Sequence, residues 1–417
     1  MVLYVFLTVN TFFFFAMLGT RPIMPIYAAE LGVSSTIIGM LVSTTSFLPM
    51  LIAVRAGKWV DRFGAKKGAI TGGAGVFAAL LIPALIPKIE LLFFSQTLFG
   101  FFQLLMILSM QKTIGNLPGN RDKLITAHSM SAAAGDMLGP LVTGFTYAHY
   151  GFSATYFIAA SSALLGLTLI LLVRSEHWRA SGPRTTKTYP YQGSTWTLLR
   201  NVNLRKAILI GGIGLYSKEL IVAYFPLYAT SIGMSASRIG MMLSLSAFMA
   251  ILVRFVQFPL VLRFGRTTIM TTALAISATL YLALGLTDSA VALALIIATL
   301  GASLGIGQPL SMVYTLNHTP SQRHGEVLGM RVSINRTLQF CAPIVFGGVA
   351  GVLGLTSIFF SNAALMIAGV YFTRIRAGQE ALPDSGATSE AQTSSADADS
   401  SRRRSDEQTA TGGRASL

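Results

Sequence analysis

The stretch PIYAAELGVSSTIIGM, residues 25–40, is written again as PLYATSIGMSASRIGM at residues 226–241. Eight of the sixteen positions are identical at a constant offset of 201. The same offset carries residues 62–64 onto residues 263–265, and an offset of 203 relates later positions. These later positions are Pro140, Gly144, Gly151 and Phe157, which match Pro343, Gly347, Gly354 and Phe360. The repeat predicts a chain built from two related halves.

The composition indicates a protein that lies mostly in lipid. Hydrophobic residues make up 53% of the 417 positions and charged residues only 11%, whereas a soluble domain carries roughly 25% charged residues. The apolar residues form long continuous runs, each close to the roughly 20 residues that span a bilayer. Runs without alternation favour helices over the strands of a membrane β-barrel. We therefore predict an all-α membrane protein.

The apolar runs predict twelve transmembrane helices. Their approximate ranges are 2–19, 36–55, 68–87, 91–112, 124–148, 152–173, 207–230, 237–260, 268–287, 290–314, 327–350 and 353–373. Because six is even, the two halves cross the membrane in the same orientation, as two parallel-repeat six-helix bundles. We assign residues 1–173 to an N-terminal bundle, 174–206 to a cytoplasmic linker, 207–373 to a C-terminal bundle and 374–417 to a disordered cytoplasmic tail.

Basic residues indicate the side of the membrane on which each loop lies. They gather after the second predicted helix, between the fourth and fifth, in the middle segment and after the eighth, while the alternate loops hold few. By the positive-inside rule these loops and both termini are cytoplasmic, and most of the net charge of +15 reflects this topology. We expect no cleaved signal peptide, no nucleic-acid binding, and a multi-pass location in the cell membrane, which in a bacterium is the inner membrane.

The loop GKWVDRFGAKKGAI, residues 57–70, carries a recognisable pattern. It resembles the signature Gly-x-x-x-Asp-Arg-x-Gly-Arg-Lys of the major facilitator superfamily, although Ala65 stands at a usually basic position. The matching residues are Gly57, Asp61, Arg62, Gly64 and Lys66. The resemblance implies a fold of two halves that rock about a midplane site, with this loop latching their cytoplasmic ends. In the latched state we expect Asp61 to accept from the N-terminus of the eleventh helix or from Arg331.

A second element, GDMLGPLVTG at residues 135–144, lies in the fifth predicted helix. It is similar to the Gly-x-x-x-Gly-Pro-x-x-Gly-Gly element of exporters in this superfamily, many of which are proton antiporters. The matching residues are Gly135, Gly139, Pro140 and Gly144. Small residues four apart also allow close helix packing. In the fourth helix, however, Gln96 stands where drug-exporting members usually carry an arginine, four residues before Gly100.

Two acids lie deep in the predicted spans, Asp136 and Glu219. Burial disfavours the charged form of a carboxyl group, which suits reversible proton binding, so both are proton-coupling candidates. For Asp136 a permanent ion pair, with Arg336 as the partner, remains an equal alternative. Arg336 itself either pairs with an acid or binds an anionic group of a substrate, because an unpaired charge in the membrane is costly.

Further polar residues lie on the first, fourth, seventh, tenth and eleventh helices. The resemblance implies that the first, fourth, seventh and tenth helices line the substrate cavity. The cavity candidates are Asn10, Arg21, Gln96, Gln103, Tyr216, Lys218, Gln308 and Arg336. Arg21 lies near the predicted end of the first helix, where snorkelling to the interface is an alternative role. Of the neighbours Lys218 and Glu219 we expect one to face the cavity, and we expect Arg254 and Arg331 to snorkel or form gate pairs.

No pattern in the sequence points to enzymatic chemistry. The five histidines show no metal-ligand spacing and no phosphate-binding loop follows a strand, so we expect no enzyme, cofactor or metal. The favoured function is proton-coupled export, by a monomer, of a small organic compound such as a toxic compound or a siderophore. The alternatives are an uptake symporter for an organic anion and a transport-inactive sensor or receptor.

Overall fold

The computed structural model describes residues 2–115, 117–118, 121–178, 202–317, 319 and 324–373. These residues belong to one unit, Met1–Arg374. Within the described part all regular structure is helical, including a short 3-10 helix at Ser175–Trp178. The predicted tail and residues 179–201 of the predicted linker lie outside the described residues.

Twelve α-helices follow one another along the described chain, as predicted. The first four are α1 (Val2–Glu30), α2 (Ser35–Phe63), α3 (Ala65–Leu85) and α4 (Ile89–Gly115). The helical run Arg121–Leu172 kinks at Gly151, so we number its parts α5 (121–150) and α6 (152–172). The second half contains α7 (Val202–Ser231), α8 (Ala236–Phe264), α9 (Arg266–Leu284), α10 (Ala290–Asn317), α11 (His324–Leu353) and α12 (Thr356–Thr373). Most are long and apolar enough to cross a membrane, and α12 is slightly shorter.

The sequence repeat is also a repeat of backbone geometry. All six residues with positive φ in the described chain are glycines, and they form three pairs at the repeat offsets. The pairs are Gly32 (76°) with Gly233 (83°), Gly64 (95°) with Gly265 (79°), and Gly151 (77°) with Gly354 (86°). Glycine adopts this conformation without the clash that a Cβ would cause. Equivalent helices in the two halves therefore end at equivalent residues.

The first helix is longer than the sequence indicated. The apolar run predicted an end near residue 19, but α1 continues to Glu30. Pro22 and Pro25 are buried inside it, although proline usually interrupts a helix. Within a membrane, a helix tolerates proline where neighbouring helices satisfy the backbone groups that the proline leaves without a hydrogen bond. Arg21 consequently lies well within the helix and not near its end, where snorkelling was the alternative to its predicted place in the cavity. In the second half, α7 begins at Val202, five residues before the predicted start.

The two ends of the helical bundle differ in charge. The basic end is the one at which α2, α4 and α8 end and α5 and α11 begin, and it carries the basic residues around 55–67. At the opposite end the two halves are in contact through α2 with α11 and α5 with α8. A Cβ added at Gly39 would lie 2.2 Å from the carbonyl oxygen of Pro343, and one added at Gly240 would lie 2.2 Å from that of Pro140. The backbones of the two halves therefore come into direct contact at these glycines, and beside Gly39 the hydroxyl of Tyr224 donates to the same Pro343 oxygen.

Candidate functional site

A cavity of about 660 Å³ lies between the two halves. Residues of α1, α4 and α5 line one side, and residues of α7 and α8 line the other. Its lining runs from charged side chains near the middle of the helices to Gln111, Gly115 and Ile125 at the basic end. Apolar wall residues include Phe14 and Leu243. This size and mixed lining are typical of sites for small organic molecules.

One charged pair crosses the cavity between α5 and α7. Lys218 Nζ lies 2.7 Å from Asp136 Oδ2, and both side chains line the cavity. The lysine remains about half exposed and the aspartate about one-fifth exposed. Asp136 thus forms an ion pair, which was the predicted alternative to a role in proton coupling. Its partner is Lys218 and not Arg336, the partner that we expected. The pair joins the first half to the second and is accessible from the cavity.

A second charged pair of opposite polarity lies beside the first. Arg21 on α1 holds Glu219 on α7 through Nη2 to Oε2 at 2.9 Å and Nη1 to Oε1 at 3.2 Å. This two-point geometry is the stronger form of a guanidinium–carboxylate contact. The glutamate side chain is only 11% exposed. Both neighbours, Lys218 and Glu219, therefore line the cavity, whereas we expected only one to do so.

A third basic residue joins this network through an amide. Gln339 Nε2 donates to Glu219 Oε1 at 3.0 Å, and Arg336 Nη1 donates to Gln339 Oε1 at 3.1 Å. Arg336 is thus linked to Glu219 through the side chain of Gln339. Glu219 accepts from groups on α1 and α11, so a change in its charge would be felt in both halves.

The other predicted cavity residues lie in several places. Gln96 lines a small extension of the cavity next to Arg21 and Glu219. Asn10 is buried and donates to Ser131 Oγ at 2.7 Å, and Tyr216 is buried with its ring 6.2 Å from that of Phe346. Five predicted residues do not line the main cavity: Asn10, Gln96, Gln103, Tyr216 and Arg336. The side chain of Gln308 lies outside the described part of the structure.

Several cavity residues were not predicted from the sequence. His128 and Ser129 on α5, Gln111 on α4 and Ser246 on α8 all line it. Arg254, which we expected to snorkel or act in a gate, lines it as well. The helical spacing held a signal for two of them, because Ser129 and His128 precede Asp136 by seven and eight residues and so lie near its face.

The signature loop is held together within the first half. Asp61 Oδ1 lies 2.7 Å from Lys112 Nζ on α4, and the aspartate side chain is 71% exposed. Lys66 Nζ donates to the carbonyl oxygen of Val173 and to Ser175 Oγ, both at 3.0 Å. Gly64 provides the positive φ at the turn between α2 and α3. Arg62 lies over the ring of Phe63 at 5.5 Å, and a Cβ added at Gly57 would meet nothing within 4 Å.

Arg331, the predicted partner of Asp61 in the latch, is buried against α10 in this arrangement of the helices. Arg331 is 6% exposed and donates through Nη1 to Ser311 Oγ at 2.6 Å and to Thr315 Oγ1 at 3.4 Å. Both acceptors are on α10. An Asp61–Arg331 contact therefore stays a prediction for a different arrangement of the two halves.

The glycine–proline element packs against both halves. A Cβ at Gly135 would lie 2.6 Å from the Cβ of Phe14, and one at Gly139 would lie 2.8 Å from the backbone nitrogen of Gly19, both on α1. Gly144 faces α8 instead, where a Cβ would lie 2.6 Å from the carbonyl oxygen of Ala236. The element thus permits close contact within the first half and, one turn further, contact with the second half. Pro140 lies between these contacts and lines the cavity.

The described residues contain no group of three or more side chains suited to hold a metal ion. What the cavity offers is paired charge, hydrogen-bonding groups and apolar walls between two bundles that touch at one end. Such a site can bind a small molecule.

Comparison with known proteins agrees with this architecture. The model of the family described as the Major Facilitator Superfamily matches residues 6–338 and 230–405. Multidrug resistance protein 1 of Bacillus subtilis (strain 168) is 25% identical over 371 residues, covering 88% of this chain and 94% of that protein. Multidrug resistance protein MdtG of Klebsiella pneumoniae (strain 342) is 20% identical over 377 residues, covering 85% and 88%.

Solved structures resemble the fold at lower sequence identity. A POT family transporter in complex with a thioalcohol-conjugated peptide superposes with a TM-score of 0.74 at 16% identity, covering 88% of this chain and 94% of that one. The nucleoside transporter NupG superposes with a TM-score of 0.72 at 14% identity, covering 89% and 98%. The protein is a multi-pass membrane transporter rather than an enzyme, and the chain belongs to the major facilitator superfamily.

Proposed function

We propose that this transporter exports a small organic compound from the cell in exchange for protons, and that it works by alternating access. The observation that carries the proposal is the pair of ion pairs inside the cavity, Asp136–Lys218 and Glu219–Arg21, each joining one half to the other. Protonation of either carboxyl group removes the charge that holds its partner. A proton can therefore loosen the contact between the halves at the same site where a substrate binds.

The arrangement of the helices supports a cavity that faces the cytoplasm. The halves are in contact at the end opposite the basic end, through Gly39 and Gly240, while the cavity lining extends to the basic end. The positive-inside rule assigns the basic end to the cytoplasm, which puts both chain termini there and, in a bacterium, the protein in the inner membrane. In this state the carrier would accept a compound from inside the cell.

Export is favoured by two observations. The glycine–proline element of α5 is the one that resembles exporters, and relatives bear the names of multidrug resistance proteins. We assign the proton to Asp136 before Glu219, because Asp136 lies in the more accessible pair, whereas Glu219 also accepts from Gln339.

The proposal is tested with the purified full-length chain in liposomes. We expect an imposed pH gradient to drive flux of at least one compound from a panel of drugs and siderophores. Asp136→Asn should abolish gradient-driven flux while leaving exchange of unlabelled for labelled compound, because binding and rocking do not need the proton. Glu90→Gln removes an exposed carboxylate outside the cavity and should change neither.

Three results would contradict the proposal. Gradient-driven flux that persists in well-folded Asp136→Asn would remove this residue from proton coupling. Accumulation of an organic acid together with protons would replace export by uptake symport. Absence of flux for every compound, with binding retained, would indicate a sensor or receptor.

A further inference from the structure

The charges that line the cavity do not balance. Its two acids each hold one base, since Asp136 pairs with Lys218 and Glu219 with Arg21. Arg254 on α8 also lines the cavity, and the structure gives it no ion pair among the described residues. Its side chain is exposed, and it lies between the charged pairs and the basic end of α8. The cavity thus carries one excess positive charge after its internal pairs are counted.

His128 supplies an unused hydrogen-bond donor to the same cavity. The residue is 8% exposed, and its Nε2 has no hydrogen-bond partner in the described part of the chain. The other ring nitrogen, Nδ1, lies 3.4 Å from the amide nitrogen of Asn10, which can only donate. We therefore assign Nδ1 as the acceptor and place the proton on Nε2. A buried donor without a partner is unfavourable, and a ligand that accepts from it would remove this cost.

The surroundings of these two groups are apolar. Ile114 and Ile125 line the cavity toward the basic end, and Leu243 and Ala247 lie about three and two turns before Arg254 on α8. A ligand that reaches Arg254 and His128 must therefore also lie against hydrocarbon. A cation has no such place, because both carboxylates are already occupied and the unpaired charge is positive.

We propose that the compound carried is an amphipathic organic anion, whose carboxylate binds at Arg254 and His128 while its apolar body lies along the cavity wall. This inference rests on the proposed function, since it takes the cavity to be the substrate site. Charge-assisted hydrogen bonds from a guanidinium and an imidazole suit a carboxylate better than an alcohol or an amine. The expected selectivity is thus set by the sign of the charge rather than by the shape of the apolar part.

Three compounds of nearly equal shape test the inference directly. They are 1-naphthaleneacetate, 1-naphthaleneethanol and 2-(1-naphthyl)ethylammonium, and their binding to the purified full-length protein in detergent is measured by equilibrium dialysis. We expect the acetate to bind about tenfold more tightly than the alcohol, the usual size of one charge-assisted contact, and the ammonium to bind most weakly. The wild-type protein alone gives this result, so it does not depend on the folding of a variant.

Two substitutions then locate the carboxylate. Arg254→Gln and His128→Gln should each reduce the affinity for the acetate by about fivefold to tenfold and leave the affinity for the alcohol unchanged. Arg238→Gln is the matched control, because Arg238 is an exposed arginine on the same helix, at the opposite end and outside the cavity lining. It should change no affinity. Apparent melting temperatures confirm that each variant is folded.

The outcomes separate this inference from the proposed function. Tighter binding of the ammonium, equal binding of all three compounds, or no binding of the acetate would overturn the anion site, whatever the liposome flux shows. An acetate affinity that survives both substitutions would also overturn it. Selective acetate binding without gradient-driven flux would uphold the anion site and instead refute proton-coupled export.

Discussion

The two halves of the protein are alike where they touch and unlike where they carry charge. At the end opposite the basic end, Gly39 lies against Pro343 and Gly240 lies against Pro140 at the same distance of 2.2 Å for an added Cβ. These contacts are related by the repeat, with offsets of 201 for the glycines and 203 for the prolines. A seal made of backbone against backbone is thus built twice, once on each side of the cavity.

The middle of the cavity shows the opposite behaviour. The position of Asp136 in the first half corresponds to Gln339 in the second, and that of Arg21 corresponds to Val222. The second half instead contributes Lys218 and Glu219, which match Met17 and Leu18 of the first. Each charge therefore has its partner in the other half and no equivalent in the repeat. The shared residues build the scaffold and the seal, and the unshared residues supply the ion pairs that line the cavity.

The largest effect on stability is expected from breaking the charged contact of α1 with α7. Arg21→Gln leaves the mostly buried Glu219 without its guanidinium partner. Loss of one member of a buried ion pair costs about 3–5 kcal/mol, and the remaining bond from Gln339 favours the lower value. We expect a marked fall in the apparent melting temperature in detergent, measured by intrinsic fluorescence.

A reversed pair is the control for this prediction. The double variant Arg21→Glu with Glu219→Arg restores opposite charges and should recover much of the lost stability. Lys112→Gln, which breaks the exposed contact with Asp61, should have little effect. If Arg21→Gln melts at the wild-type temperature, the pair is not a structural link between the halves.

A smaller and symmetric effect is expected at the seal. Gly39→Ala and Gly240→Ala each introduce a methyl group 2.2 Å from a backbone oxygen, so the helices must separate. Overpacking of this kind costs about 1–3 kcal/mol. Because the contacts are repeats of one another, we expect equal losses of melting temperature and of transport in the two variants.

The control for the seal is a glycine with free space around it. A Cβ at Gly348 would meet nothing within 4 Å, so Gly348→Ala should be neutral. Unequal effects of the Gly39 and Gly240 substitutions would show that the two sides of the seal contribute differently to stability. The prediction of equivalent contacts at this end would then be wrong.

Much of the scaffold follows from the sequence. The repeat offset alone relates the glycines that have positive φ, because a left-handed turn between two helices leaves little choice of residue. The glycine–proline element likewise indicated close helix packing, and α5 packs closely on α1 and α8 around it. The predicted end of α1 was wrong, because tertiary packing permits Pro22 and Pro25 within a helix.

The pairing of the charges did not follow from the sequence. Lys218 and Glu219 are adjacent, so helical periodicity assigns them different directions, yet both reach partners because α1 and α5 approach α7 from different sides. Arg336 was an equally good partner for Asp136 on depth alone. Which base reaches which acid depends on the tilt and rotation of packed helices, and these are properties of the assembled bundle.

A third comparison concerns two tyrosines at equivalent positions. Tyr27 OH donates to the carbonyl oxygen of Pro87 at 2.8 Å, and Tyr228 OH donates to that of Thr287 at 3.0 Å. Tyr228 also contacts Asp288 Oδ1 at 2.8 Å. Tyr27→Phe should cost about 1 kcal/mol or less and Tyr228→Phe slightly more, because the second loses a bond to a charged acceptor. Equal melting temperatures for the two variants would contradict a role for the aspartate.

The smallest effect on stability is expected at Asp61, whose equivalent position in the second half carries no charge. Its contact with Lys112 is solvent-exposed, and such pairs are worth about 0–1 kcal/mol. Leu262 stands at the equivalent position in the second half and cannot form an ion pair. In this arrangement, therefore, Asp61→Asn, Lys112→Gln and Leu262→Ala should all melt close to the wild type.

The same three variants should differ in the balance between the two arrangements of the halves. When the basic end closes, we expect Asp61 to accept from the N-terminus of α11 or from Arg331, a contact worth about 1–2 kcal/mol. Its loss would shift a balanced equilibrium toward the arrangement with an open basic end by about fivefold to thirtyfold.

Asp61→Asn should then raise the labelling of a cysteine placed at Ser129 in the cavity, in a Cys341→Ser background, and should slow turnover. Lys112→Gln and Leu262→Ala should not, because neither removes an acceptor from the closing contact. If Lys112→Gln reproduces the labelling of Asp61→Asn, the aspartate acts only through its pair within the first half, and the latch between the halves does not exist.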